Sequence, residues 1–206
     1  MEIWYVAYGS NLAKARFDCY LGGGRPEGGA RTYTGCRDTA APRDDVAVEL
    51  PGTLHFAGRS TVWSGGMAFY DRSGNGTVAG RAYLLTAEQA NDVVVQETRH
   101  PLGTDFGLHL VAEGGAAKVR EGGYDTVLRL PDLDGRPAVT IAAGHPLEPQ
   151  PPSAAYLRWI CAGLRETHGW PAERVGGYLA RCPGVRGAWP EEELVELARA
   201  SYTLRR

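Results

Sequence analysis

The stretch Tyr5–Leu12, with the sequence YVAYGSNL, places a glycine, a serine and an asparagine directly after an apolar run. The apolar run predicts a buried strand and the following residues predict a helix, so Gly9, Ser10 and Asn11 form the turn between them. Unpaired backbone N–H groups at a helix N-terminus attract a small anion, and a glycine lets a ligand approach the backbone closely. The turn lacks the length and the lysine of a phosphate-binding loop, which favours a carboxylate. An ordinary capped turn is the alternative.

A second candidate for chemistry is Glu97, which follows three valines and a glutamine at the end of a predicted helix. A glutamate in this apolar neighbourhood is expected to be partly buried, and burial raises the pKa of a carboxyl group. A carboxyl group with a raised pKa can transfer protons near neutral pH. The alternatives are a solvated glutamate at a helix end and a glutamate paired with Arg99.

The strands that must position these residues are indicated by β-branched and aromatic runs ended by glycine, proline or polar residues. They are predicted at Ile3–Tyr8, Gly52–Gly58, Gly65–Asp71, Val78–Thr86, 126–131 and 138–144. The turn at residues 71–76 has the Asn-Gly content of a hairpin, so it predicts pairing of the strands on either side. Residues 22–50 are rich in Gly, Arg, Asp and Pro and predict an extended connection with short strands.

Helices are predicted where apolar residues recur at helical spacing behind a capping residue. They cover Leu12–Leu21, a segment capped by Thr86, a segment from Ser153 to Gly169, Ala172–Ala180 and Glu191–Ala200. Strands dominate the middle of the chain and helices dominate its end. This order predicts an α+β fold with a curved or barrel-like sheet.

Composition narrows the class of protein. The chain has 206 residues and a net charge of -2, which gives no electrostatic reason to expect binding to nucleic acid or to an anionic membrane. The four cysteines have no CxxC spacing and the five histidines no i, i+4 pair, so reduced thiols and no metal site are expected. No signal peptide or membrane span is indicated. We therefore expect a cytoplasmic enzyme or binding protein.

Four stretches together resemble the γ-glutamylcyclotransferase family, in the order that the family has them. The stretch at Tyr5–Leu12 is similar to the family signature, which is usually close to YFAYGSNL. Val62–Tyr70 resembles a Trp-x-Gly-Gly segment, and Gly80–Glu97 resembles a segment that ends in a Gln-Glu pair. Pro151–Pro171 resembles a helix with the pattern Pro-Ser-x-x-Tyr. These stretches span most of residues 3–180.

The resemblance implies a small, barrel-like, mixed and mostly antiparallel sheet flanked by helices. It implies that Glu97 is the catalytic acid and base, and that Tyr156 lies near the substrate and closes the pocket. The γ-glutamyl head group would bind to the segment that consists of Tyr5, Val6, Ala7, Tyr8, Gly9, Ser10 and Asn11. The expected domain covers residues 1–182, and residues 183–206 are expected to form a C-terminal helical extension.

The implied reaction is attack of the α-amine of a γ-glutamyl compound on its own γ-carbonyl, which releases 5-oxoproline and a free amine or amino acid. No cofactor is required, and the expected partner is the small-molecule substrate, with no nucleic acid or membrane. The oligomeric state stays open, with a homodimer as one option. Two alternatives are a biosynthetic enzyme that removes a γ-glutamyl protecting group from a larger amine, and a non-catalytic binding module of the same fold.

Overall fold

The computed structural model describes residues 1–201, which contain eight strands and six helices. The strands, in chain order, are β1 (Glu2–Ala7), β2 (Asp44–Pro51), β3 (Thr53–Ala57), β4 (Met67–Asp71), β5 (Thr77–Thr86), β6 (Ala116–Lys118), β7 (Thr126–Leu133) and β8 (Arg136–Ala142). The helices are α1 (Lys14–Gly22), α2 (Ala87–Thr98), α3 (Leu108–Glu113), α4 (Ala154–His168), α5 (Ala172–Leu179) and α6 (Glu191–Arg199). A 3-10 turn at Ser10–Leu12 lies between β1 and α1.

Six of the strands form one mixed sheet with the order β2-β5-β1-β8-β7-β6. All neighbouring pairs are antiparallel except β1 and β8, which are parallel. The predicted α+β class, with a mixed and mostly antiparallel sheet flanked by helices, is confirmed. The sheet is not closed into a barrel, because β2 and β6 lie at its two edges.

Strand β1 lies inside the sheet and is buried on both faces, which explains why its sequence is apolar without interruption. Ile3, Tyr5 and Ala7 pack with residues of α1, α2 and α3 on one face. Trp4 and Val6 pack on the other face with α4, α5, α6 and the β3–β4 pair. The strand therefore ends in the middle of the molecule, where several elements meet.

The predicted hairpin across residues 71–76 is wrong. Strands β4 and β5 do join at this turn, but β4 pairs with β3 in a separate two-stranded sheet. Strand β5 pairs with β2 on one side and with β1 on the other. An Asn-Gly turn indicates that the chain reverses there, whereas the pairing partner is decided by long-range packing.

The capping residues predicted for two helices are confirmed. Thr86 and Gln89 form a reciprocal capping box at the start of α2, and the Ser153 side chain accepts a hydrogen bond from the backbone N–H of Tyr156. Helix α1 starts later than predicted, at Lys14, because Ala13 is extended. The sequence did not predict α3 or β6, which are short.

Residues 183–201 pack against the rest of the fold. Val185 and Leu194 are fully buried in the same core as α4 and α5. The boundary at residue 182 stays a prediction, and the end of the predicted extension, residues 202–206, lies outside the described residues. No helix within residues 1–201 is long and apolar enough to cross a membrane.

Candidate functional site

A cavity of about 260 Å³ opens where the end of β1, the end of α2 and the start of α4 meet. All of the predicted site residues line this cavity, although they come from three distant parts of the chain: Tyr5, Val6, Ala7, Tyr8, Gly9, Ser10, Asn11, Glu97 and Tyr156. The sequence therefore predicted which residues come together.

Glu97 is half-buried near the C-terminal end of α2 and accepts a hydrogen bond of 2.8 Å from Asn11 Nδ2 to its Oε1 atom. Burial raises the pKa of this carboxyl group, although the positive charge of Arg16 and hydrogen bonds from Tyr20 and Asn11 oppose the shift. The considered pairing with Arg99 is absent among the described residues. Arg99 is exposed in a left-handed C-cap conformation, and its guanidinium contacts the Thr61 hydroxyl.

Ser10–Leu12 forms a 3-10 turn between β1 and α1, and Leu12, predicted as the first helical residue, belongs to this turn. The first hydrogen bond of this turn runs from Leu12 N to Gly9 O, at 3.0 Å. The N–H groups of Ser10 and Asn11 precede that bond and donate to no acceptor among the described residues. The Tyr83 hydroxyl donates a hydrogen bond to Asn11 O at 2.8 Å and so holds the turn in place. Two backbone donors are thus held at the cavity wall.

Helix α4 packs closely against this turn at Gly163. A Cβ atom at Gly163 would lie 2.3 Å from Leu12 Cβ and 2.5 Å from Ala13 N, so a larger residue does not fit. This contact fixes α4 against the turn and places Tyr156, near the helix start, at the cavity. Ala68 N donates to the Tyr156 hydroxyl at 3.2 Å, and the Tyr156 ring stacks on Trp63 with 5.9 Å between ring centroids.

The position of Gly9 needs a glycine because a side chain would have no room there. Its φ of -107° lies outside the left-handed region that favours glycine. A Cβ at Gly9 would lie 2.9 Å from the Tyr156 hydroxyl and 3.3 Å from Ala68 Cβ. The ring of Tyr156 is packed and has little freedom to move away.

We expect Gly9→Val to weaken catalysis far more than folding. The added side chain pushes against the Tyr156 hydroxyl and enters the cavity beside the free N–H groups, so kcat/KM should fall at least about tenfold, which corresponds to about 1.4 kcal/mol. Steady-state kinetics and a thermal melt check this expectation. Gly22→Val, at the exposed last position of α1 where an added Cβ meets nothing within 4 Å, serves as a control for an added valine. An unchanged kcat/KM in Gly9→Val would contradict the assigned role of the turn.

Arg16 is a site residue that the sequence analysis missed. It is 2% exposed, its guanidinium lies 4.6 Å from the ring centre of Tyr20 and 4.4 Å from that of Tyr33, and its Nη2 donates to the Tyr33 hydroxyl at 2.7 Å. Its Nε and Nη1 atoms have no partner among the described residues, and it forms no direct ion pair with Glu97. The spacing of Arg16 and Tyr20, four residues apart on one helix, could have indicated this contact.

Trp63 belongs to the wall of this cavity, whereas His100 and the four cysteines do not. Trp63 is both buried and part of the cavity lining. His100, three residues after Glu97, stays outside the cavity and contacts the Thr98 hydroxyl through Nδ1 at 3.0 Å. The four cysteines are free thiols, as predicted. Within residues 1–201 no group of His, Cys, Asp and Glu side chains could hold a metal ion.

Comparison with solved structures places this geometry in a known fold. A γ-glutamyl cyclotransferase superposes with a TM-score of 0.56 over 97% of this chain and 99% of its own, at 19% identity. An uncharacterized protein from Homo sapiens superposes with a TM-score of 0.52 over 96% of this chain and 98% of its own, at 20% identity. The chain has a γ-glutamylcyclotransferase-like fold. At this low identity the γ-glutamylcyclotransferase-like fold is shown, and the reaction is not.

Sequence comparison gives a partial match. Histone deacetylase 5 of Arabidopsis thaliana is 37% identical over 101 residues, which are 47% of this chain and 15% of that protein. The chain thus spans a small part of this relative. No family model matches the chain.

Proposed function

We propose that this protein is a cyclotransferase that acts on a γ-glutamyl amine or γ-glutamyl amino acid and releases 5-oxoproline and the free amine. The observation that carries the proposal is Glu97, a carboxylate with a raised pKa that Asn11 fixes in a cavity beside two unpaired backbone N–H groups. A binding protein for a γ-glutamyl group does not need a half-buried acid at this place. The γ-glutamylcyclotransferase-like fold supports the same reaction class.

In the proposed complex the α-carboxylate of the substrate accepts hydrogen bonds from the N–H groups of Ser10 and Asn11. These donors have no other partner among the described residues, and the 3-10 turn holds them in place before the substrate arrives. Fixing the α-carboxylate also fixes the neighbouring α-amine against the γ-carbonyl carbon. Because the nucleophile belongs to the same molecule, holding the folded conformer lowers the barrier by several kcal/mol, up to about 10 in favourable geometries.

Glu97 performs the proton transfers in this proposal. It first accepts a proton from the α-ammonium group, which frees the lone pair for attack on the γ-carbonyl carbon. It then gives this proton to the leaving nitrogen as the C–N bond breaks. The ring nitrogen loses its second surplus proton through Glu97 to the released amine, so the lactam is neutral, the amine leaves as an ammonium ion and the carboxylate returns to its starting state. Arg16 forms no direct ion pair with Glu97 within residues 1–201, but its positive charge lowers the pKa of Glu97 and so opposes the effect of burial. Arg16 is therefore a positioning residue in the proposal.

Tyr156 is the proposed donor to the oxyanion that forms on the γ-carbonyl oxygen. Its hydroxyl oxygen accepts a hydrogen bond from Ala68 N and lies beside the Tyr124 hydroxyl, so the O–H group is held in place. A donor that is fixed before the reaction stabilises a developing oxyanion without reorganisation. The closeness of Tyr156 to Gly9 places it on the same side of the cavity as the free N–H groups.

The proposal is tested by incubating the protein with a panel of γ-glutamyl amines and γ-glutamyl amino acids. Cyclisation releases 5-oxoproline and the free amine in equal amounts, and both are measured. A panel compound that binds, seen as a rise in melting temperature, without release of 5-oxoproline would favour the non-catalytic module. Release from a large biosynthetic amine alone would favour the deprotecting enzyme. The cytoplasmic location expected from the sequence is part of this proposal.

We expect the acid limb of the pH profile to lie above the range of an ordinary glutamate. Glu97 must be ionised to accept the ammonium proton, and its raised pKa means that it becomes protonated, and inactive, at a higher pH than a solvated glutamate with a pKa of about 4.3. The measurement is kcat/KM against pH. An acid limb at or below the ordinary glutamate value would show that this group does not control the rate.

A further inference from the structure

Arg81 is a buried charge that contacts the 3-10 turn but does not line the cavity. It is 5% exposed and belongs to β5, which pairs with β1 and β2 in the sheet. Its guanidinium binds the carboxylates of Asp45 on β2 and Glu166 on α4. Its Nη1 atom also donates a hydrogen bond to Leu12 O at 3.2 Å. One side chain thus connects the sheet, α4 and the turn.

Glu166 binds the backbone just after the turn as well as Arg81. Its Oε1 atom accepts a hydrogen bond from Arg81 Nη1 at 2.7 Å, and its Oε2 atom accepts one from Lys14 N at 3.2 Å. Lys14 is the first residue of α1, and Ala13 before it has no side chain that could cap this helix. The unpaired N–H groups and the dipole of a helix favour a carboxylate at its N-terminus. Glu166 therefore supplies from α4 the cap that Ala13 cannot provide.

Two side chains on one face of β5 hold two successive carbonyl groups of the turn. The Tyr83 hydroxyl donates to Asn11 O, and Arg81 donates to Leu12 O. Residues two apart in a strand point to the same face of the sheet, so both hydrogen bonds reach the turn from the same side. The turn is thus anchored to the sheet through its carbonyl groups.

These anchors determine where the free N–H group of Asn11 points. Ala13 lies between the two residues whose backbone the Arg81–Glu166 pair binds. Its N–H donates to Ser10 O at 3.2 Å. Ser10 O and the N–H of Asn11 belong to one planar trans peptide unit, so the two groups point in opposite directions. A shift of Ala13 would therefore turn away the N–H group that is proposed to bind the α-carboxylate.

We propose that Arg81 and Glu166 are positioning residues for substrate binding: their ion pair holds the 3-10 turn so that its free N–H groups face the α-carboxylate. This inference rests on the proposed cyclotransferase function. Neither side chain lines the cavity, so both act through the backbone of the turn. Accurate positioning matters because a misplacement of 1 Å can reduce catalysis by about a hundredfold.

The two carboxylates that bind Arg81 provide a matched comparison. Their side chains have similar exposure, 24% for Glu166 and 31% for Asp45. Glu166 binds both the guanidinium and the backbone after the turn, whereas the Asp45 carboxylate binds the guanidinium from β2. Glu166→Gln and Asp45→Asn therefore each remove one charge beside Arg81. Only the first also removes an acceptor that holds the turn, because an amide has a single oxygen.

The test measures kcat/KM in each variant for an unmodified γ-glutamyl compound and for its α-amide. The ratio of the two values reports how well the turn binds the α-carboxylate. We expect Glu166→Gln to lower this ratio at least about fivefold, because misplaced donors bind the carboxylate poorly and the α-amide already lacks the charge-assisted hydrogen bonds. Asp45→Asn should leave the ratio within about twofold of wild type. A general loss of stability lowers both values equally and does not change the ratio.

Variants of Arg81 test the other member of the pair. Arg81→Met should lower the ratio at least as much as Glu166→Gln does. Arg81→Lys should restore part of it, because lysine keeps the charge but not the planar arrangement of donors. Kinetics are measured well below the melting temperature of each variant. Should Arg81→Met fail to fold, the comparison of Glu166→Gln with Asp45→Asn still decides the question.

The outcomes separate this inference from the proposed function. An unchanged ratio in Glu166→Gln would overturn the positioning role, and so would equal falls in Glu166→Gln and Asp45→Asn. Both results leave the cyclotransferase intact, since wild type still releases 5-oxoproline. A wild-type ratio of one, with 5-oxoproline released, would overturn the positioning role together with the assignment of the turn. Absence of 5-oxoproline in wild type would overturn both the inference and the proposed function.

Discussion

Replacing Glu97 with glutamine should reduce turnover at least about a hundredfold, the low end of what general acid–base catalysis contributes. Glutamine has nearly the same shape and can keep a hydrogen bond to Asn11, but it cannot accept a proton from the α-ammonium group. Substrate binding should therefore change little while kcat falls. The measurement is kcat together with a substrate Kd from calorimetry. Near wild-type kcat in Glu97→Gln would remove this residue from the mechanism.

The stability of the same variant gives an independent check. The pKa of Glu97 is raised in the fold by burial, so the folded state binds its proton more tightly than the unfolded state does. Protonated Glu97 therefore stabilises the fold at pH values below its unfolded pKa, and this stabilisation is lost as the pH rises through its folded pKa. At neutral pH the ionised carboxylate costs stability, so Glu97→Gln should melt at the same or a higher temperature. Glu88→Gln, on the exposed first turn of the same helix, is the matched control.

Blocking the α-amine of the substrate should have the largest effect of all. An N-acetylated γ-glutamyl compound has no nucleophile, so we expect no detectable release of the amine. Converting the α-carboxylate to a neutral amide should instead lower kcat/KM strongly, because charge-assisted hydrogen bonds to the Ser10 and Asn11 N–H groups, each worth about 1.5–3 kcal/mol, are lost. The assay measures amine release from the unmodified, α-amidated and N-acetylated compounds.

Two results would contradict parts of this expectation. Amine release from the N-acetylated compound would mean that water attacks the γ-carbonyl, and the cyclotransferase proposal would be wrong. Equal rates for the unmodified and α-amidated compounds would leave cyclisation in place but would remove the 3-10 turn as the site of the α-carboxylate.

The features that could be predicted from the sequence are those with a local physical signal. The uninterrupted apolar run of β1 indicated a buried strand, and the valines before Glu97 indicated its burial. Thr86 and Ser153 marked helix starts because their side chains satisfy backbone N–H groups at those points. The grouping of Asn11, Glu97 and Tyr156 was implied only by the resemblance of four short stretches to the γ-glutamylcyclotransferase family.

The features that escaped prediction depend on contacts between distant segments. The pairing of β4 with β3 follows from packing that the turn at residues 71–76 does not report. Arg16 appears in the sequence as an ordinary helix residue, and only the fold encloses it between Tyr20 and Tyr33. The cavity is assembled from strands, helices and loops that lie far apart in the chain, so no spacing rule could have found its full lining.

The central claim, that the bond breaks by internal attack of the α-amine, is tested most directly by the reaction in ¹⁸O-labelled water. Internal attack takes no oxygen from the solvent, so mass spectrometry should show 5-oxoproline without ¹⁸O and no glutamate formed by the enzyme. Attack by water would instead give glutamate with one ¹⁸O atom in its γ-carboxylate. Unlabelled 5-oxoproline as the product is the result that we predict, and labelled glutamate would contradict the proposed mechanism.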